Sequence, residues 1–165
     1  QTLALTRPET RRRVDVHDLL RAALDLRAYE LRAGGIEVVT RFADGLPLVL
    51  VAENRLRLVF LNIIVNAEHA IEESHGSGHL TVTTEGRDGA VRVAIADDGP
   101  GFAETDRVRV FEPFFTTRDA EGGSGIGLSI VRAVVTEHGG GIDAESAPGG
   151  GAVFVVELPA AAPED

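Results

Sequence analysis

The sequence predicts one α/β domain, and two kinds of periodicity predict it. Leu80 to Glu85 and Ala90 to Ala96 alternate, with Leu80, Val82 and Thr84, then Val91, Val93 and Ile95 on one face, as a hairpin of half-buried strands requires. Asn54 to about Ser74 and the stretch around Leu128, Val131, Val134 and Val135 repeat apolar residues at helical spacing instead. With 165 residues, 44% of them hydrophobic, the chain is large enough to bury a core on that plan.

Composition narrows the function. No apolar run approaches the roughly 18–20 residues that cross a bilayer, and no secretory leader follows Gln1, so the reading is a cytoplasmic stretch without direct membrane contact. A membrane-anchored parent protein is compatible with that. Beginning at Gln rather than Met, the sequence reads as a piece of a longer chain. The absence of cysteine excludes disulfides and thiolate metal sites. A formal charge of −10 argues against nucleic acid as a partner. All 16 basic residues are Arg, so a P-loop, which needs its Lys, is excluded.

Taken in order, residues 1–13 read as a linker or the end of a truncated helix, residues 14–159 as the domain, and residues 160–165 as a frayed tail. Asp15 is placed to cap a helix carrying Val16, Leu19, Leu20, Ala23, Leu24, Leu26 and Tyr29, stopped by Gly34 and Gly35. Ile36 to Phe42 and Pro47 to Val51 read as strands around the turn at Asp44 and Gly45. The helix from Asn54 to about Ser74 is apolar around much of its circumference. After a second helix stopped by Gly139 to Gly141, a last hairpin pairs Ile142 to Ser146 with Ala152 to Leu158. The five histidines show no metal spacing and read as surface or packing residues.

Three features stand out against this background. Asn62 and Asn66 share one face of the long helix at i, i+4, with His69 nearby, and buried amides ask for a ligand or a polar partner. The strand from Ala90 ends in Asp97, Gly99 and Gly101, followed by Phe102; taken alone, this is also how a simple turn reads. Gly123, Gly125 and Gly127 then lead into a helix, and glycine amides at a helix N-terminus suit a phosphate. A nucleoside triphosphate needs all three. The Asp97 carboxylate accepts from an adenine amine. The Asn66 amide oxygen ligates Mg²⁺ without adding negative charge. The glycine loop offers amides to the phosphates.

The set resembles the ATP-binding catalytic domain of bacterial sensor histidine kinases, within the gyrase, Hsp90, histidine kinase and MutL superfamily. The run Asn62 to Ala67 looks like its N box, Asp97 to Phe102 its first G box, Phe111 to Thr117 its F box, and Gly123 to Ile130 its second G box. The flanks at Arg7 and Pro8 and at Leu46 and Pro47 are similar to those of nitrogen-regulation-type kinases. The resemblance implies a two-layer α/β sandwich of the Bergerat type, a mixed sheet packed on helices, with an ATP lid over about Phe102 to Ser124. It implies ATP and Mg²⁺ as ligands, Asn66 on the metal, and Asp97, Gly99, Gly101, Phe102, Thr116, Thr117, Gly123, Ser124, Gly125, Ile126, Gly127 and Leu128 around the nucleotide. Phe111, Phe114 and Phe115 would anchor the lid.

The remaining implications concern catalysis. Where the superfamily's ATPases carry a water-activating Glu this chain has Asn62, which cannot act as a base, as suits a kinase whose nucleophile is a partner's imidazole. His69 stands where many relatives carry Lys or Arg near the terminal phosphate, so His69 or Arg118 is expected there. No histidine has the context of a phosphoacceptor, although Asp18 follows His17. The acceptor is therefore expected on an upstream helical hairpin of a homodimeric parent that serves a response regulator. Two alternatives remain: an anti-sigma-type Ser/Thr kinase and a catalytically silent nucleotide-binding module.

Overall fold

The computed structural model describes residues 9–74, 76–107, 109–112, 127–146 and 150–162. They form two layers. One is a five-stranded sheet in the order β2-β4-β5-β7-β6, built from Ile36–Arg41 (β2), Gly78–Arg87 (β4), Ala90–Asp97 (β5), Gly141–Ser146 (β6) and Ala152–Pro159 (β7). Strand β2 runs parallel to β4 and the other neighbours pair antiparallel, so the expected mixed sheet is present. Arg11–Val14 (β1) and Val49–Ala52 (β3) make a separate antiparallel pair. The second layer holds helices Val16–Leu26 (α1), Ala28–Ala33 (α2), Glu53–Ser74 (α3) and Gly127–Glu137 (α4).

The alternation read from the sequence becomes the interface between the layers. Leu80, Val82, Val91, Val93, Ile95, Phe154, Val156 and Leu158 are all buried, as are Leu19 and Leu20 of α1 and Val131, Val134 and Val135 of α4. Between them lies α3, with Leu56, Val59, Phe60, Ile63, Ile64, Ala67 and Ile71 in the core. Among the described residues no helix is long and apolar enough to cross a membrane.

Three expectations need correction. The helix capped by Asp15, whose carboxylate accepts from the His17 amide at 2.9 Å, does not run through to Gly34. It breaks at Arg27 (φ −103°, ψ 8°), which ends α1 and starts α2. The break turns Leu31 into the core and leaves Leu26 62% and Tyr29 72% exposed, so the single apolar stripe drawn through those two residues was too long. The folded unit also begins before Val14, because β1 pairs Arg11 with Ala52. At the other end, Ala160 to Ala162 are tied down rather than frayed. The Ala160 amide donates to the Gly89 carbonyl, the Ala161 amide to that of Leu48, and the Arg13 guanidinium to that of Ala162.

A buried ion pair holds the helix break in place. Glu68 of α3 is 2% exposed, and Arg27 donates to its two oxygens from Nε at 2.8 Å and from a terminal nitrogen at 2.7 Å. A two-point pair of this kind gives direction as well as attraction. Removing only the cation would strand a buried carboxylate. Arg27→Ala should therefore lower unfolding free energy by about 3 kcal/mol, while the double change to Arg27→Met and Glu68→Leu should recover most of it. Urea denaturation checks this, and a single variant as stable as the parent would contradict it.

Candidate functional site

Five polar side chains are buried among the described residues: His17, Glu68, Thr84, Asp97 and His138. Four are satisfied internally. Glu68 has Arg27, and His17 Nε2 lies 2.8 Å from the Thr84 hydroxyl, which also accepts from the Ala43 amide. The His17 ring stacks on Phe42 with centroids 4.3 Å apart, so it is packed in place and not presented to a phosphate donor. His138 Nδ1 donates to the Val134 carbonyl, and its Nε2 accepts from the Ala52 amide. Asp97 is the exception. Its Oδ1 accepts from the Gly99 amide at 2.8 Å and the Ala152 amide at 3.3 Å, while Oδ2 has no partner among the described residues.

Strand alternation explains why a carboxylate sits there. Asp97 follows Val91, Val93 and Ile95 on the inward face of β5, so the strand's last side chain points inward like the rest. Burial raises its pKa above the ordinary carboxylate value, partly opposed by the two amides and reinforced by Asp98. Beyond it the chain passes directly against α3. A Cβ on Gly99 would stand 2.7 Å from the Ala70 carbonyl oxygen, so only glycine fits.

Ala70 is one turn beyond Asn66, and that turn of α3 is the link between the two predicted motifs. Asn62, Asn66, His69 and Ala70 occupy one half-exposed face, flanking the residues that α3 buries in the core. The side chains of Asn62, Asn66 and His69 have no hydrogen-bond or ion-pair partner among the described residues, so the protein partner considered from the sequence is not supplied there. At the far end of this face, Asn62 meets the start of α4: a Cβ on Gly127 would lie 3.9 Å from its Cγ. Arg55 and Glu137 close the opposite ends of the two helices at 2.6 Å, so α3 and α4 run antiparallel.

The other predicted residues divide into two groups. Gly101 (φ +74°), Phe102 and Leu128 border the same region, Phe102 and Leu128 half-buried against the core. Arg118, Thr116, Thr117, Gly123, Ser124, Gly125 and Ile126 lie outside the described residues, as do Phe114 and Phe115. Phe111 is core, packed edge-on against Phe154 with centroids 6.1 Å apart. Sequence reasoning missed the role of the last hairpin. Gly151 (φ +93°) lies so close to the end of β5 that a Cβ would come within 2.0 Å of the Asp97 carbonyl oxygen. The glycine run ending at Gly151 was the available signal for that approach.

The arrangement suits one elongated polar ligand. A hydrogen-bond donor fits Asp97 Oδ2, an anion fits the N-terminus of α4, and the amides of Asn62 and Asn66, without a partner among the described residues, lie between. Among the described residues no three His, Asp or Glu side chains gather to hold a metal ion, so a cation here would need the amides and the ligand's own oxygens.

Comparison with known proteins agrees with this geometry. The sequence profile of the histidine kinase-, DNA gyrase B-, and HSP90-like ATPases matches residues 51–162. Sensor histidine kinase ZraS of Klebsiella oxytoca is 37% identical over 147 residues, covering 88% of this chain but 31% of the relative, so the chain spans about a third of that protein's length. Sensor histidine kinase component HK1 of Mycobacterium tuberculosis (strain ATCC 25618 / H37Rv) is 38% identical over 133 residues, which is 79% of this chain and 76% of the relative. Among solved structures, full-length ShkA in complex with AMPPNP superposes with a TM-score of 0.80 at 33% identity, over 95% of this chain and 33% of that one.

The raised pKa of Asp97 has a pH consequence. Because the folded carboxyl takes up its proton at a higher pH than the unfolded one, the folded state binds more protons in that interval. The contribution of Asp97 to stability therefore falls as pH rises from the unfolded value through the folded one. Asp97→Asn keeps an acceptor oxygen for both amides and does not titrate. Unfolding free energies measured across the acid range should show wild type losing stability relative to Asp97→Asn as pH increases through that interval. A pH-independent difference would contradict the assignment.

Proposed function

The chain belongs to the histidine kinase-, DNA gyrase B-, and HSP90-like ATPase family, and from that membership we propose that it is the ATP-binding kinase domain of a two-component sensor histidine kinase. The observation that carries the reading is the face of α3, where two amides without a partner among the described residues run from the glycine start of α4 to the Asp97 turn. Asp97 takes the adenine amine through Oδ2. Gly99 and Gly101 keep the backbone close to the base, and Phe102 and Leu128 border it. Gly123, Ser124, Gly125, Ile126 and Gly127 present amides to the phosphates, with Thr116 and Thr117 contributing from the F box.

Mg²⁺ fits this site because the Asn66 amide has an oxygen to give and no competing group among the described residues. When bound, the ion neutralises charge on the triphosphate. His69 or Arg118 serves the terminal phosphate. In the reaction, an imidazole nitrogen of the acceptor forms a bond to the γ-phosphorus. The bond from that phosphorus to the bridging oxygen breaks, and ADP leaves. This chain's part is positioning and charge stabilisation. Asn62 lines the site without basicity, so it activates no water. Residues 14–159, extended forward by β1, form the catalytic unit. The acceptor histidine lies on a helical hairpin of the homodimeric parent, which then serves a response regulator in the cytoplasm.

Asn66→Ala should weaken Mg²⁺-ATP binding at least tenfold, about 1.4 kcal/mol, and leave metal-free ATP binding nearly as it was. Calorimetry with and without Mg²⁺ decides this; unchanged Mg²⁺-ATP affinity would remove Asn66 from the site. Incubated with γ-labelled ATP, the isolated chain should neither label itself nor release phosphate quickly. Adding the parent's upstream hairpin should produce acid-labile label on that hairpin. Acid-stable label on a partner would point to a Ser/Thr kinase, and rapid phosphate release without an acceptor would point to an ATPase.

A further inference from the structure

The turn that carries Asp97 has one hydrogen bond of its own, from the Gly99 amide, and the last hairpin grips it at two further points. One is the Ala152 amide on Asp97 Oδ1. The other is Ser146, whose hydroxyl accepts from the Phe102 amide at 3.2 Å and donates to the Phe102 carbonyl at 2.6 Å. Ser146 and Ala152 are direct cross-strand partners in β6 and β7. A single rung of the sheet therefore holds both ends of the segment from Asp97 to Phe102. Between those ends the fit is close: a Cβ on Gly101 would come within 2.7 Å of the Gly151 carbonyl oxygen and 3.2 Å of the Ser146 hydroxyl. Farther along the chain, Arg107 donates to Asp143 at 2.6 Å, so the same edge strand β6 holds a second point of this segment.

We infer that Ser146 is a positioning residue for nucleotide binding, acting through the Phe102 peptide. By satisfying both polar groups of one residue, its hydroxyl fixes the direction in which the chain leaves Gly101. Gly101 and Phe102 are the backbone placed beside the base, so that direction sets the wall of the base end. The Asp97 carboxylate keeps its own two amides, from Gly99 and Ala152, without Ser146. Loss of the hydroxyl should therefore weaken every ligand that carries the base, ATP and adenosine alike. The inference rests on the nucleotide reading above.

The test uses the purified chain, with ATP and adenosine affinities measured by calorimetry and Phe102 amide exchange followed by NMR. Ser146→Ala should raise the Kd for ATP and for adenosine by the same factor, about tenfold. Exchange at the Phe102 amide should accelerate and the melting temperature should hold. Ser146→Thr, which keeps the hydroxyl, should restore both affinities. Unchanged affinities in Ser146→Ala, a loss confined to ATP, or no rescue by Thr would overturn the inference. If wild type bound neither ligand, the nucleotide reading would fail. In that case unaltered Phe102 exchange in Ser146→Ala would overturn the clamp as well, and faster exchange would support its hold on the peptide.

Discussion

Burial of one side of α3 is the interaction on which the rest of the structure depends. Seven apolar side chains from Leu56 to Ile71 enter the core from this one helix, and all but Ala67 contribute about 1.5–3 kcal/mol each of transfer free energy before entropic costs. The net stability of a domain is only about 5–15 kcal/mol, so this face cannot rotate away without unfolding the protein. Its fixed orientation sets Asn62, Asn66 and His69 on the half-exposed flank of the core stripe. The same helix supplies both, and the flank is rigid because the core face is buried.

Buried polar groups follow the same division between framework and function. His17, Thr84, His138 and the pair Arg27 and Glu68 complete their hydrogen bonds inside the protein, joining loops and helix ends to the sheet. They cost little because they are satisfied. Asp97 is left half-satisfied among the described residues, and its burial raises its pKa. A ligand donor at Oδ2 would relieve that cost, whereas an acceptor placed there would leave both groups unpaired.

Relatives over the same stretch are sensor histidine kinases. This chain has no lysine at all, so any side-chain cation it offers an anion is Arg or His. On α3, Glu73 follows His69 at i, i+4 and shares the face of Asn62 and Asn66.

Much of this was legible from the sequence because it follows from periods and spacings. Alternation in β4, β5 and β7 and the i, i+4 amides of α3 each follow from one element's own geometry, so local pattern suffices. The Asp15 cap was equally local. The helix break at Arg27 was not, since it is made by a carboxylate 41 residues away, and an apolar stripe gives no sign of such a partner. The clamp on the Asp97 turn was likewise invisible. Its contacts involve the amide of Ala152, both backbone groups of Phe102 and the carbonyl of Ala70, and backbone groups are the same for every sequence. The sequence by itself determined which faces are buried and which side chains carry the chemistry. Only the tertiary structure decided how the chain leaves Gly101, because that depends on backbone groups brought together from strands and a helix distant in sequence.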